Sequence, residues 1–157
     1  MKNLIAKHIA FGAFLLFILP VDASAQVPVT AEKPLVNQYM ESGELPRKAT
    51  WWNLLGRELS YSIDEPYDEV SVSELQNIIF FASNHKDKVK PKDALPSLIS
   101  VLEYHENEQY RIMAITAIHA IGDRNAMLEV SNAMADERSL RVRRHAKAAV
   151  EDYFDFK

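Results

Sequence analysis

No cysteine occurs anywhere in the 157 residues, and that absence removes several chemistries at once. No disulfide can staple the fold, no thiolate can act as a nucleophile, and no zinc–cysteine site can form. Stability therefore has to come from packing. Glycine is scarce, at four residues, and no P-loop, dinucleotide-binding glycine run, GxSxG or HExxH is present. No apolar run reaches the ~20 residues needed to cross ~30 Å of hydrocarbon. Surplus basic charge is missing too: 18 Lys and Arg stand against 22 Asp and Glu, a net of −4. General nucleic-acid binding rests on neutralising phosphates with excess cations, so no nucleic-acid partner is expected.

What is present begins with a leader. Lys2 and Lys7 form a basic head, Ile9 to Leu19 is an uncharged apolar stretch of eleven residues, and Pro20 breaks any helix. Ala23-Ser24-Ala25 then places small side chains where a signal peptidase with shallow pockets needs them. The pattern is that of a secretory signal peptide over residues 1–25, cleaved after Ala25. The other reading, a membrane anchor, fails on the length of the apolar run. Lipid attachment is excluded because no cysteine follows. Cleavage leaves residues 26–157, 132 in all, with a net charge of −5, because the leader carries Lys2, Lys7 and Asp22. That length suits one domain with a real core. The expectation is a protein exported to the periplasm or the medium, with no stable membrane insertion after cleavage.

Residues 26–48, with Pro28, Pro34 and Pro46, read as a flexible lead-in in which Leu35 to Met40 has room for a turn or two of helix. A capping helix is expected within 49–70, with Thr50 as its N-cap. Trp51, Leu54, Leu55 and Leu59 would form its apolar face. Ser71 and Glu74 have capping-box spacing and open a helix through Ile78, Ile79, Phe81 and Ala82. After a lysine-rich loop, Asp93 is placed to cap a helix carrying Leu95, Leu98, Ile99 and Leu102, with Pro96 in its tolerant first turn. The next helix runs from about Asn107 to Ile121 and stops at Gly122. Asp123 caps a further helix to about Ala135, and a last one runs from about Leu140 to Phe154. No segment alternates with period two, so the fold class is all-α.

The C-terminal half also falls onto itself when it is slid so that Tyr110 lands on Val142. In that register Arg111 meets Arg143, Ala114 meets Ala146, Ala117 meets Ala149, Ile118 meets Val150 and Ile121 meets Tyr153. One helix earlier, Leu95 meets Met127, Leu98 meets Val130 and Leu102 meets Met134. A helix pair recurring at this period cannot close a core alone, and stacked neighbours supply the missing face. Tyr110-Arg111-x-x-Ala114-x-x-Ala117-Ile118-x-x-Ile121-Gly122-Asp123 resembles the second helix of a HEAT repeat and the turn after it. Val142-Arg143-x-x-Ala146-x-x-Ala149-Val150 repeats that helix, with Asp136 near the usual inter-helix aspartate. The sequence departs from the family pattern in having Tyr110 for the usual valine and in setting Asp136 one residue farther from Val142. The resemblance implies a short α-solenoid of stacked antiparallel helix pairs over 49–157, with 71–157 forming about two and a half repeats. It implies a scaffold or adaptor that binds another protein; the family has no universal catalytic residue to carry over.

In such arrays the second helix of each pair lines the concave side. With Ala114, Ala117, Ile118 and Ile121 buried, Ile112, Thr116 and His119 point away at about 100° per residue. In the same register their equivalents are Arg144, Ala148 and Glu151 on the C-terminal side, and Phe80, Asn84 and Asp87 on the N-terminal side. From this row, Phe80, Asn84, Ile112, Thr116, His119, Arg144 and Glu151 form the candidate protein-binding surface; the alternative for Phe80 and Ile112 is packing on neighbouring helices. Lys86, Lys88, Lys90 and Lys92 alternate through one loop, and Arg138, Arg141, Arg143, Arg144 and Lys147 crowd the last helix. Either set could meet an acidic partner, an anionic lipid surface or a polyanionic glycan, or simply be solvated, Arg143 serving in contacts between repeats. Trp51 and Trp52 suit an end-capping role better than a ligand-stacking platform.

The case for catalysis is thin, and neither a cofactor nor a metal is expected. His85, His105, His119 and His145 are spread along the mature chain. His119 and Asp123 have a spacing that two ligands on one helix face could share, but Gly122 would end the helix before Asp123 and no third ligand is evident. A small envelope metal-binding protein or enzyme built on His119 and nearby carboxylates is the alternative function.

Overall fold

The computed structural model describes residues 33–43, 46–64 and 66–155. The expected signal peptide and the first part of the expected lead-in lie outside these residues. Among the described residues the chain is all-helical, with seven α-helices, one 3-10 turn and no strand. In chain order the helices are α1 (Leu35–Ser42), α2 (Ala49–Tyr61), α3 (Val72–Asn84), α4 (Leu95–Tyr104), α5 (Glu108–Ile121), α6 (Arg124–Ala133) and α7 (Leu140–Asp155).

Local chemistry explains most of the boundaries. Ser71 Oγ accepts from the Glu74 N–H at 3.3 Å, and the Glu74 carboxylate accepts from the Ser71 N–H at 2.7 Å. This reciprocal box satisfies two donors that the first turn of α3 would leave orphaned. Asn107 caps α5 by accepting from the Gln109 N–H at 2.9 Å. Gly122 ends α5 in the left-handed region, at φ 71°, which a side chain would make costly. Asp123, one residue on, accepts from the Asn125 and Ala126 N–H groups and opens α6.

Elsewhere tertiary contacts override the local signals. Within the expected lead-in, the turn or two of helix allowed at Leu35 to Met40 is present and extends over Leu35–Ser42. This stretch forms α1, whose Leu35 and Val36 N–H groups donate to the Glu58 carboxylate of α2 at 2.9 and 3.2 Å. A carboxylate from another helix thus satisfies the exposed donors and positive end of α1. Tyr39 of α1 is buried in the core. Helix α2 begins at Ala49 with Lys48, not Thr50, as its N-cap, and no side chain bonds there. Its buried stripe is Trp52, Leu55, Gly56, Leu59 and Ser60, one residue round from the expected face, which leaves Leu54 46% exposed. The loop after α3 packs on the buried stripe: a Cβ at Gly56 would lie 3.8 Å from Val89 Cγ1 and 4.0 Å from Lys90 N, ordinary contact distances. Asp93 does not cap α4. It lies within the 3-10 turn Lys92–Ala94, and Ala94 precedes the helix.

Helix α5 is the centre of the packing, in contact with α3, α4 and α7, while α6 packs on α4 and α7. Its Ala114, Ile115, Ala117 and Ile118 are fully buried. The small alanines let helix axes approach, and the isoleucines fill the space beside them. Leu75, Ile78 and Phe81 of α3, Leu98 and Val101 of α4, Met127 and Val130 of α6, and Val142 of α7 complete that core. Tyr153 closes it from α7, its hydroxyl donating to the Gly122 carbonyl at 3.1 Å.

Candidate functional site

Helices α3 and α7 each pack on α5, so the expected row can be gathered only along these three helices. The proposed row is only partly gathered there. On α3, Phe80 is 37% exposed yet already engaged, its ring edge-on to Phe81 at 5.1 Å and to Tyr39 at 6.0 Å. The Asn84 amide donates back to the Phe80 carbonyl at 2.8 Å. These two residues therefore belong as much to the seat of α1 as to an open surface.

Ile112, Thr116, His119 and Arg144 do come together, at the seam between α5 and α7. Thr116 Oγ1 donates to the Ile112 carbonyl at 2.9 Å and lies 3.0 Å from His145 Nε2. A hydroxyl has one proton to give, so His145 Nε2 is the donor of the second bond. One turn on, His119 Nε2 meets the Asp152 carboxylate at 2.8 Å. Glu151 points elsewhere, pairing with Lys147 at 3.6 Å on its own helix. Beside these bridges lies an open hollow of about 680 Å³ lined by Ile112, Leu140, Arg141, Arg144, His145 and Ala148. Leu140 is 53% exposed at its edge. Burial pushes the His145 imidazole below its ordinary range, and the charges of His119 and Arg141 push it the same way. His145 is thus kept neutral in a positively charged neighbourhood.

His145, Asp152, Leu140 and Arg141 were not in the expected row. Sliding the repeat aligns matching positions, whereas partners across a seam come from the sides of two helices that face each other. Asp152 is the neighbour of Glu151, the residue that the slide sets on His119, so the signal was one position away.

The other expected chemical groups have structural partners. Asp123 is engaged by its cap and by Lys92 Nζ at 3.1 Å, and its carboxyl is held below the usual range first by Lys92 and then by the Ala126 N–H. It does not share a ligand position with His119. His105 stacks on Tyr110 at 4.2 Å and accepts from the Asn107 N–H. His85 is buried and 2.8 Å from the Tyr39 hydroxyl. Among the described residues no group of three or more His, Asp or Glu is arranged to hold a metal ion. Trp52 is buried against His85 with Lys88 Nζ 5.2 Å from its ring, and Arg47 lies 4.0 Å from the Trp51 ring. The tryptophans are thus covered by the chain's own cations.

The expected role of Arg143 falls to Arg111. Its guanidinium grips the Glu137 carboxylate at 2.9 and 3.1 Å and the His105 and Glu106 carbonyls at 2.7 and 2.8 Å. Asp136 is exposed, and the carboxylate beside Arg111 is that of Glu137. Arg143 is itself exposed. No helix among the described residues is long and apolar enough to cross a membrane. No family model, curated protein or solved structure matches the chain.

Proposed function

We propose that this chain is an exported, HEAT-like α-solenoid that serves as a binding scaffold or adaptor for another protein. The observation that carries the reading is the order of packing: α3, α5 and α7 touch in series, and so do α4 and α6. That is the arrangement expected of stacked helix pairs recurring in the register that sets Arg111 on Arg143. It leaves the outer side of α5 and α7 open along a mixed apolar and charged seam. The HEAT resemblance of Tyr110–Asp123 and Val142–Val150 supports it independently. A metal enzyme built on His119 draws less support, since His119 is committed to Asp152 and Asp123 to Lys92.

The test is site-specific photo-crosslinking in the native host, with the reactive group at position 112 or 144, or at exposed Leu128 of α6 as a control. The same protein should be trapped from 112 and 144 and not from 128; equal yields from all three would overturn the reading. Export is tested by the N-terminus of the protein recovered outside the cytoplasm. Gln26 is expected, and an intact leader would refute it.

A further inference from the structure

We propose that the hollow between α5 and α7 takes an acidic protein segment carrying an apolar side chain, which rests on Ile112 and Ala148 while its carboxylates meet Arg141 and Arg144. This rests on the scaffold reading and adds the class of partner. Charge bookkeeping singles the place out. Around the seam, cations and anions are mostly matched within the chain: Lys147 with Glu151, His119 with Asp152, and Arg111 with Glu137. Arg141 and Arg144 line the hollow and have no ion-pair partner among the described residues.

Geometry supplies the rest. Guanidinium groups present a planar fork that matches a carboxylate with two parallel hydrogen bonds. The floor between them is apolar, formed by Ile112 and Ala148 with exposed Leu140 at the edge. Carboxylates beside an apolar side chain complement both parts. An anionic membrane or a sulfated glycan complements less, because the chain as a whole carries −4 and would be repelled by an extended negative surface.

The experiment measures fluorescence anisotropy of short dye-labelled peptides in which one Leu, Ile, Phe or Met lies between pairs of glutamates. Matched peptides carry Gln for Glu or Ala for the apolar residue. At least one acidic–apolar peptide should bind, with both matched controls about tenfold weaker and binding falling as salt rises. The double variant Arg141→Gln/Arg144→Gln and the single variant Ala148→Glu should each lose that binding. All three positions are exposed, so the melting temperatures should stay unchanged. No binding by any peptide, wild-type binding by the arginine variant, or tighter binding to phosphatidylglycerol vesicles or heparin would each overturn the proposal. Were peptides to fail while the crosslinked adduct at 112 and 144 persisted, the scaffold reading would stand and this one would fall.

Discussion

Replacing Tyr39 with Phe tests whether α1 is an integral part of the fold. The Tyr39 hydroxyl lies 2.8 Å from His85 Nε2, and both side chains are buried. Phenylalanine keeps the ring and its contacts with Trp52, Phe80, Phe81 and His85 but leaves that nitrogen without the hydroxyl. Losing a buried side-chain hydrogen bond costs roughly 1 kcal/mol, and at this size each kcal/mol lowers Tm by about 4 °C. Tyr39→Ala also removes the ring from its four aromatic neighbours and should cost roughly 3–5 kcal/mol. Urea titration reads both as a shift in midpoint at unchanged slope, and hydrogen exchange should quicken in α1 before α5. Tyr67→Phe, at a 40% exposed ring, is the control and should move the midpoint by less than about 0.5 kcal/mol. If Tyr39→Phe matched that control and α1 exchanged like wild type, α1 would not be docked as described and the aromatic cluster would have to be rebuilt.

Three further outcomes follow from named contacts. Gly122→Ala places a Cβ at φ 71° and should cost about 1 kcal/mol, read as a lower urea midpoint; a neutral result would mean the turn relaxes out of the left-handed region. Arg111→Gln breaks a pair whose side chains are 13% and 10% exposed and should cost roughly 3 kcal/mol, whereas Arg143→Gln should stay within about 0.5 kcal/mol; equal effects would show that the two arginines do the same work. Glu137→Gln tests the pH response. Burial raises the Glu137 carboxyl, but the Arg111 hydrogen bond and the Ser139 N–H outweigh it, so its value is held below the ordinary 4.5. A depressed carboxyl stabilises the fold fully above that ordinary value and loses its contribution as pH falls through the folded one. The variant should therefore be the less stable at pH 7 and should lose less stability than wild type between about pH 5 and pH 3; parallel midpoint curves would refute the assignment.

The helices that could be read from sequence are those whose ends are settled within a few residues. Ser71 with Glu74, Asn107, Gly122 and Asp123 act on backbone groups two to four positions away, so their chemistry is visible in the chain itself. The features that could not be read depend on partners far along it. The cap of α1 comes from Glu58, well downstream on the next helix, and no spacing rule reports it. The buried stripe of α2 turned by one residue because the loop after α3 sets Val89 beside Gly56 and because Trp52 meets His85. The seam was half legible. Helical periodicity put Ile112, Thr116 and His119 outward, but which residues of α7 they meet depends on how two helices lean together, so His145 and Asp152 emerge only in three dimensions.

The repeat itself accounts for the unspent charge on α7. Its register supplies an arginine at the same helical position twice, as Arg111 and Arg143, but among the described residues only Arg111 has an ion-pair partner. Arg111 is half-buried because the connection between α6 and α7 passes beneath it and delivers Glu137. No described segment takes the corresponding place beside Arg143, so the α7 end of the packing keeps its guanidinium groups in solvent. Leaving them there costs little, since exposed arginines remain hydrated. It also leaves Arg141 and Arg144, one helical turn apart along the seam, without an acid among the described residues to compete for them. On the scaffold reading, a binding end arises from the same residues that build the interior. Arg111 is taken up by Glu137 within the packing, while Arg141 and Arg144 on α7 meet no acid among the described residues and stay available to the carboxylates of the proposed partner.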